Sequence, residues 1–190
     1  METTVELLPN GRRMAVECVR HPGGAAVVAV DGTGRVCLLH QYRPVFRDWF
    51  WELPAGRLEP DEPPRETARR ELAEEGGVQA RQWHALGTIV PSPGVFAERI
   101  HLFLACDLQS APEGTASEPH EVFERHWLDY GEALSWARDG RIQDAKTLVG
   151  LWRGAAALAR GTCGGDPARA VVASAVTARD AAADLLEQET

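Results

Sequence analysis

The chain of 190 residues has an excess of acid, no closely spaced cysteines and no long apolar run. Its 28 acidic residues outnumber its 20 basic ones, and a formal charge of −8 argues against a nucleic-acid surface, which needs a basic stripe. No signal peptide and no apolar stretch of 18 residues is present. We therefore expect a cytoplasmic protein that binds neither nucleic acid nor membrane.

The cysteines stand far apart, at Cys18, Cys37, Cys106 and Cys163. Because no C-x-x-C spacing occurs, they suggest neither a zinc site nor a disulfide framework. We predict four free thiols. An apolar content of 44% in a chain without internal repeats is enough for one compact domain with its own core.

One acidic segment, residues 56–78, carries most of the chemical information. It reads GRLEPDEPPRETARRELAEEGGV, and Glu71, Glu74 and Glu75 fall within five residues of one another. Concentrated negative charge costs stability unless a cation neutralises it. Hard divalent ions take oxygen ligands and keep water or substrate phosphates in their remaining positions. The segment therefore predicts a metal and phosphate site.

Residues 65–75 are predicted to form a helix. Asp61 or Glu62 can serve as its N-cap, and the two prolines that follow suit a first turn, where N–H groups lack helical partners. A pair of glycines provides the left-handed residue that ends a helix. At about 100° per residue, Glu71 and Glu75 lie within about 40° of each other. They are the predicted metal-binding pair.

Arg70 and Glu74 occupy a neighbouring stripe of the same helix. Their i, i+4 spacing predicts an ion pair in which Arg70 orients Glu74, and we include both among the candidate catalytic residues. The alternative is a solvated charged helix face, which is common for such runs. Gly56 and Glu62, standing at fixed distances before the helix, favour the functional interpretation.

The segment resembles the signature of the Nudix hydrolases. That signature is G-x5-E-x7-R-E-U-x-E-E-x-G-U, where U is a bulky aliphatic residue, and every constrained position matches. The resemblance implies an α/β (α+β) fold, a Nudix-type α/β/α sandwich with a mixed sheet. It also implies Mg²⁺ or Mn²⁺ binding and hydrolysis of a nucleoside diphosphate linked to another group. Glu71 and Glu75 match the principal metal ligands of the family.

Several shorter strings resemble the ADP-ribose pyrophosphatase branch, and the resemblance extends over residues 5–160. They are Q-Y-R, E-L-P-A-G, S-P-G followed by E-R, D-A-K-T, and a proline 16 residues beyond the last signature glycine. In that branch the carbonyl matching Ala55 is a metal ligand, the arginine matching Arg43 lies near the phosphates, and the glutamate matching Glu98 reaches the terminal ribose. Glu52, in the second string, is a further candidate substrate-binding residue.

Arg43, Glu98 and the aromatic residues each have a purely structural role as an alternative to substrate binding. Arg43 is either a phosphate ligand or a surface cation, although guanidinium suits phosphate oxygens. Glu98 either reaches the ribose or pairs with its neighbour Arg99. Trp49 and Trp51 are candidates to stack on the nucleobase, but alternation along a strand places at least one residue of this aromatic cluster in the core.

The general base is left open by the sequence. Aligned on Trp127, the family's acidic loop places Glu121 at a further metal-ligand position. The position of the base is then Pro119, which cannot accept a proton. Glu118, Glu121 or a glutamate of the signature are the three alternatives.

The chain divides into three predicted parts. Residues 1–24 form a strand-turn-strand extension, residues 25–160 the Nudix hydrolase domain, and residues 161–190 a linker with an Ala-rich helix. Within the domain, residues 25–30 and 36–41 are predicted to form a hairpin. The related pyrophosphatases are dimers that exchange an N-terminal sheet, which implies a homodimer here.

The resulting expectation is metal-assisted hydrolysis of a pyrophosphate bond, with ADP-ribose giving AMP and ribose 5-phosphate. The alternatives are another nucleotide sugar or a dinucleotide, such as GDP-mannose, FAD or NADH. A sensor that binds ADP-ribose without turnover is a third possibility. The complete set of signature acids argues against a sensor, which does not need a metal pair.

Overall fold

A computed structural model describes residues 1–112 and 120–163 of the chain. The strands are β1 (Glu2–Leu7), β2 (Arg13–Arg20), β3 (Gly24–Ala29), β4 (Arg35–Arg43), β5 (Asp48–Glu52), β6 (Ala55–Arg57), β7 (Val78–Ile89), β8 (Phe96–Ala97), β9 (Ile100–Ser110) and β10 (Phe123–Asp129). The helices are α1 (Pro64–Glu74), α2 (Tyr130–Asp139) and α3 (Ala145–Ala159).

The central sheet is mixed and has the order β6-β3-β9-β7. Strand β3 runs parallel to β9 and antiparallel to β6, and all of its residues are buried. Its alternate side chains enter two separate cores, because successive residues of a strand point to opposite faces. Ala26 and Val28 share one core with Leu151 of α3, while Ala25 shares the other with Leu72 of α1. The sheet therefore lies between two helices.

A second sheet, in the order β10-β4-β5, is antiparallel throughout. A third contains the N-terminal hairpin of β1 and β2, with β8 pairing parallel to β2. Helix α2 begins at Asp129, whose side chain accepts from two backbone N–H groups, and ends at Gly140 in the left-handed conformation. The expected mixed α/β sandwich with an N-terminal hairpin is confirmed.

The predicted hairpin between residues 25–30 and 36–41 is wrong. Only an isolated bridge joins Val30 to Val36, after which β3 and β4 enter different sheets. Both hydrogen-bonding edges of β3 are already used, one by β6 and the other by β9. A turn between two apolar strands therefore leads here from one sheet to the next.

Two local predictions also need correction. The N-cap of α1 is Pro63, without a side-chain cap, so neither Asp61 nor Glu62 has that role. Cys106 and Cys163 form a disulfide with their Cα atoms 6.1 Å apart, whereas Cys18 and Cys37 are free as predicted. The two paired cysteines are 57 residues apart in the chain, so local spacing gave no indication of the bond.

Two predictions lie outside the described residues: the Ala-rich helix beyond position 163, and Glu118 with its neighbour Pro119. Within the described part, no helix is both long and apolar enough to span a membrane.

Candidate active site

Helix α1 is the element that carries most of the site. Ala68 and Leu72 on one face are fully buried against the central sheet. This packing draws the neighbouring acids inward, so that Glu71 and Glu75 are only 6% and 1% exposed. Glu75 follows the last helical residue, and its N–H donates to the Glu71 carbonyl at 2.9 Å. Two carboxylates are therefore buried side by side at the end of α1.

Glu75 has one carboxylate oxygen engaged and one without a partner. Its Oε2 accepts the Ala55 N–H at 2.7 Å, which connects α1 to the start of β6. Its Oε1 is buried and has no hydrogen-bond partner among the residues that the structure describes. Burial raises the pKa of Glu75 to about 8, and the nearby charges of Glu71 and Glu121 act in the same direction. The site therefore holds a desolvated acid with a free ligand atom.

Glu71 lies against the loop that precedes the helix. Burial raises the pKa of Glu71 to about 7, although the guanidinium of Arg70, 2.7 Å away, opposes the change. A Cβ placed on Gly56 would overlap the Glu71 carboxylate. Glycine is thus required at position 56 because the carboxylate occupies the volume of a side chain.

Arg70 holds several acids of the signature together. Its guanidinium lies 2.7 Å from Glu71, 3.2 Å from Glu62 and 3.3 Å from Glu74. The predicted contact with Glu74 exists, but the contacts with Glu71 and Glu62 are shorter. The hydrogen bond from Arg70 is the main reason that the pKa of Glu62 falls to about 2. Arg70 therefore orients Glu71 and Glu62 as well as Glu74.

A cavity of about 570 Å³ opens beside these acids. Its walls come from the segment that follows β2, from β4, β5 and β6, from the loop before β9 and from the start of α3. The sequence candidates in its lining are Arg43, Glu52, Ala55, Glu98 and Glu121.

Arg43 and Glu98 both have partners within this cavity. The Arg43 guanidinium forms a two-pronged bond to Glu52, with distances of 2.7 and 2.6 Å. Glu98 Oε1 lies 3.0 Å from Nδ1 of His21. Both side chains therefore face the cavity in defined positions instead of extending from the surface.

The family model described as NUDIX domain matches residues 20–149. The chain belongs to the Nudix hydrolase family. It is 38% identical over 144 residues to the methanol dehydrogenase activator of Bacillus methanolicus, covering 76% of this chain and 78% of that protein. It is 36% identical over 144 residues to the ADP-ribose pyrophosphatase of Bacillus subtilis, with the same coverage. A solved ADP compounds hydrolase has a similar fold, with a TM-score of 0.68 and 22% identity over 85% of this chain and 87% of its own.

The aromatic wall of this Nudix hydrolase differs from the sequence expectation. Trp49 and Trp51 stack on His40, and neither lines the 570 Å³ cavity. Phe46 and Phe50 line it instead. Trp49 and Trp51 alternate with Phe50 along β5, so the tryptophans point to the other face of the strand. Alternation predicted that the cluster divides, but the sequence did not show which face meets the cavity.

Arg125 is a residue of the site that the sequence did not indicate. It lies on β10, 50 positions from Glu75, and its Nε donates to the Glu75 carbonyl. A Cβ on Gly77 would overlap the Arg125 guanidinium, and Gly77 has a left-handed φ of 64°. The signature glycine thus ends α1 and leaves space for an arginine that fixes the backbone of Glu75.

The acid pair fits a hard divalent cation. Nudix hydrolases generally use divalent metal ions. Glu71 and Glu75 supply carboxylate oxygens, one of them buried without a partner in residues 1–112 and 120–163, and both acids have a raised pKa that a cation would lower again. In residues 1–112 and 120–163 no cluster of three or more His, Cys, Asp or Glu side chains has metal-binding geometry. A coordination shell built from these described residues therefore needs further donors, such as backbone carbonyls, water or substrate.

Proposed function

We propose that this Nudix hydrolase cleaves the pyrophosphate bond of a nucleoside diphosphate derivative, ADP-ribose first, to give AMP and ribose 5-phosphate. The observation that carries the proposal is the buried pair Glu71 and Glu75 beside a cavity of about 570 Å³ that contains Arg43; one Glu75 oxygen has no partner in the described part of the chain. The related Bacillus subtilis protein is named an ADP-ribose pyrophosphatase, which supports this choice of substrate.

Glu71, Glu75 and the Ala55 carbonyl would hold Mg²⁺, with Mn²⁺ as the alternative, and Glu121 would contribute where it faces the pair. Such an ion supplies positive charge to the diphosphate oxygens and offsets the charge that builds up in the transition state. Ala55 is suited to this role because its N–H already anchors Glu75. The remaining side chains bind and orient the substrate.

The reaction is a hydrolysis in which water oxygen bonds to one phosphorus and the bond from that phosphorus to the bridging oxygen breaks. The bridging oxygen leaves with the second phosphate, and a carboxylate takes the proton of the water. Of the alternatives within the described residues, Glu121 and the signature glutamates, we assign the base to Glu121, since it lines the cavity and its charge acts on Glu71 and Glu75. Arg43 would bind the phosphates through its guanidinium.

We assign substrate selection to Glu98 and to two aromatic residues of the cavity lining. Glu98 would accept hydrogen bonds from the terminal ribose. Phe46 and Phe50 present aromatic rings to the cavity, and we assign nucleobase contact to them in place of the tryptophans.

A substrate panel tests the proposal. The parent protein is incubated with Mg²⁺ and ADP-ribose, GDP-mannose, FAD or NADH, and the products are resolved by ion-exchange chromatography. The expected result is the highest kcat/KM with ADP-ribose and release of AMP. Preferred cleavage of another member would reassign the substrate. Binding of ADP-ribose without product would support the sensor, and no turnover of any member would contradict the proposed activity.

Metal binding is expected to stabilise the protein more strongly at alkaline than at acidic pH. In the metal-free protein the pKa values of Glu71 and Glu75 are raised to about 7 and about 8. The folded state therefore binds extra protons, and its stability falls as the pH rises from about 4.5 through about 8. Mg²⁺ replaces those protons, so the increase in Tm on adding it should be larger at about pH 8.5 than at about pH 6.

Differential scanning fluorimetry with Mg²⁺ or EDTA measures this effect. The double variant Glu71→Gln/Glu75→Gln is the control and should lose most of the Mg²⁺-dependent increase at both pH values. A parent protein whose Mg²⁺-dependent increase is the same at both pH values would contradict the proposed acid pair.

We also propose that residues 1–24 are a dimerisation extension. Strand β1 is the outer strand of its sheet, and Val5 and Leu7, which share one face of this hairpin, are 66 and 70% exposed. A two-stranded ribbon with an exposed apolar face is marginal in water, so a second copy of the chain would stabilise it. His21, just after the ribbon, touches Glu98 and so links this segment to the cavity.

Removing residues 1–22 is expected to give a monomer with weaker substrate binding, as measured by light scattering and KM. The double variant Val5→Ser/Leu7→Ser should shift the equilibrium in the same direction without shortening the chain. A parent protein that is monomeric at micromolar concentration and fully active would refute the role of this extension.

A further inference from the structure

Four charged side chains form a connected cluster on one wall of the cavity: Arg43, Glu52, Asp144 and Lys146. The Arg43 fork engages both oxygens of Glu52, and Lys146 Nζ also contacts Glu52 Oε2. Lys146 Nζ lies 3.0 Å from Asp144 Oδ1. The two cations and the two acids therefore alternate along one chain of contacts, with no net charge.

The balance of charge in this cluster is important because two of its side chains are buried. The Glu52 and Lys146 side chains are 4% and 12% exposed. Burial by itself would raise the pKa of Glu52, but the bonds from Arg43 and Lys146 hold that pKa below its usual value. A buried charge is tolerated when its partners neutralise it, and removing one partner leaves an uncompensated charge.

Lys146 is the only lysine of the chain, and the other 19 of its 20 lysine and arginine residues are arginines. An ammonium is a compact point charge, whereas a guanidinium is a wide planar fork. Glu52 already accepts one such fork from Arg43, so its second cation has to approach a single oxygen, Oε2. The ammonium group of lysine suits that position.

The residue that follows Lys146 ties the same region to the backbone of the acid site. Thr147 Oγ1 accepts the Leu53 N–H at 2.8 Å and donates to Asp144 Oδ2 at 2.6 Å. Leu53 stands two residues before Ala55, whose N–H holds Glu75. The first turn of α3 thus contacts residues 52–55 at two points: Lys146 contacts the Glu52 side chain, and Thr147 accepts the Leu53 N–H.

We propose that Lys146 is a positioning residue of the hydrolytic site: together with Arg43 it neutralises Glu52, and so keeps Arg43 directed at the diphosphate in a cavity wall without net charge. The proposal rests on the proposed function, because it assumes that an anionic diphosphate enters this cavity. Lys146 acts through Glu52 and does not contact the substrate. Lys146 lies outside the family signature, and the helical periodicity of the signature segment does not indicate this role.

Loss of the ammonium is expected to weaken substrate binding. Lys146→Met retains an unbranched side chain but leaves the wall with one negative charge, and Glu52 then competes with the diphosphate for Arg43. The KM for ADP-ribose should rise about tenfold or more, while kcat falls much less. The Kd for ADP-ribose measured by calorimetry in EDTA should rise in parallel, since the effect does not depend on turnover.

The double variant Glu52→Gln/Lys146→Met separates positioning from direct contact. It removes one charge of each sign, so the wall is neutral again, and the Kd should return to within about threefold of the parent value. If Lys146 bound the phosphate itself, the double variant would remain as weak as Lys146→Met. Arg160→Met, at the exposed far end of α3, is the matched control and should leave Kd and KM unchanged.

An unchanged Kd in folded Lys146→Met, or no recovery in the double variant, would overturn the inference. If Lys146→Met does not fold, the double variant decides by itself, because it lacks the uncompensated buried carboxylate: a Kd near the parent value supports the positioning role, and a weakened Kd contradicts it. A parent protein that neither binds nor cleaves any member of the substrate panel would contradict the proposed function instead.

Discussion

Glu75→Gln is expected to lower kcat by about 100-fold or more while the protein still folds. The amide oxygen can still accept the Ala55 N–H, whose nitrogen lies 2.7 Å from Glu75 Oε2 in the parent protein. The charge, and with it an anionic ligand atom, is lost. Since burial raises the pKa of Glu75 to about 8, its side chain is already largely protonated at neutral pH in the metal-free protein, and a neutral amide takes its place at little cost. The metal-free variant should therefore be as stable as the parent at neutral pH.

Glu66→Gln is the matched control for this variant. Glu66 lies on the same helix but its side chain is exposed and pairs only loosely with Arg69, at 3.6 Å. Initial rates with ADP-ribose and the free energy of unfolding in urea are measured for both variants. Activity of a folded Glu75→Gln protein within a few-fold of the parent would show that the site is wrongly assigned.

Gly56→Ala is expected to reduce kcat/KM by a similar factor, about 100-fold, by a different mechanism. The added methyl group would overlap the Glu71 carboxylate, which has to move out of its present position. Strand β6 cannot withdraw, because Gly56 pairs with Ala25 of the central sheet. Glu71 is therefore displaced while its charge is retained.

Gly32→Ala provides the comparison, since a Cβ on Gly32 meets nothing within 4 Å and its φ is not in the left-handed region. Gly32→Ala should match the parent in kcat/KM and in Tm. The Mg²⁺-dependent increase in Tm should be reduced in Gly56→Ala and kept in Gly32→Ala. Full activity in folded Gly56→Ala would show that the position of the Glu71 carboxylate is not important for catalysis.

Much of the local structure followed from the sequence. The breaker pattern and helical periodicity predicted α1 as residues 65–75, and the structure has Pro64–Glu74. Periodicity also selected Glu71 and Glu75, which are the two signature acids that the fold buries most deeply. These properties depend on neighbours within one or two turns, so the sequence contains the relevant information.

The errors concern relations between distant parts of the chain. The turn after β3 predicted a hairpin, but whether two successive strands pair depends on which other strands compete for their edges. Alternation along β5 required Trp49 and Phe50 to face opposite sides, yet the side that meets the cavity depends on which elements cover each face. The disulfide joins β9 to the chain after α3, a proximity that arises only when both pack on the central sheet.

The amino-acid sequence alone determined the helix with its acid pair, the glycine that accompanies it and the family to which the chain belongs. All of these lie within one continuous segment. The tertiary structure decided the charge balance of the cavity, because Lys146 contacts Glu52 across 94 residues of the chain, and it decided that Arg125 fixes the backbone of Glu75. Such contacts are set by the packing of α3 and β10 around the sheets, and their energies appear only once burial has removed water from the groups involved.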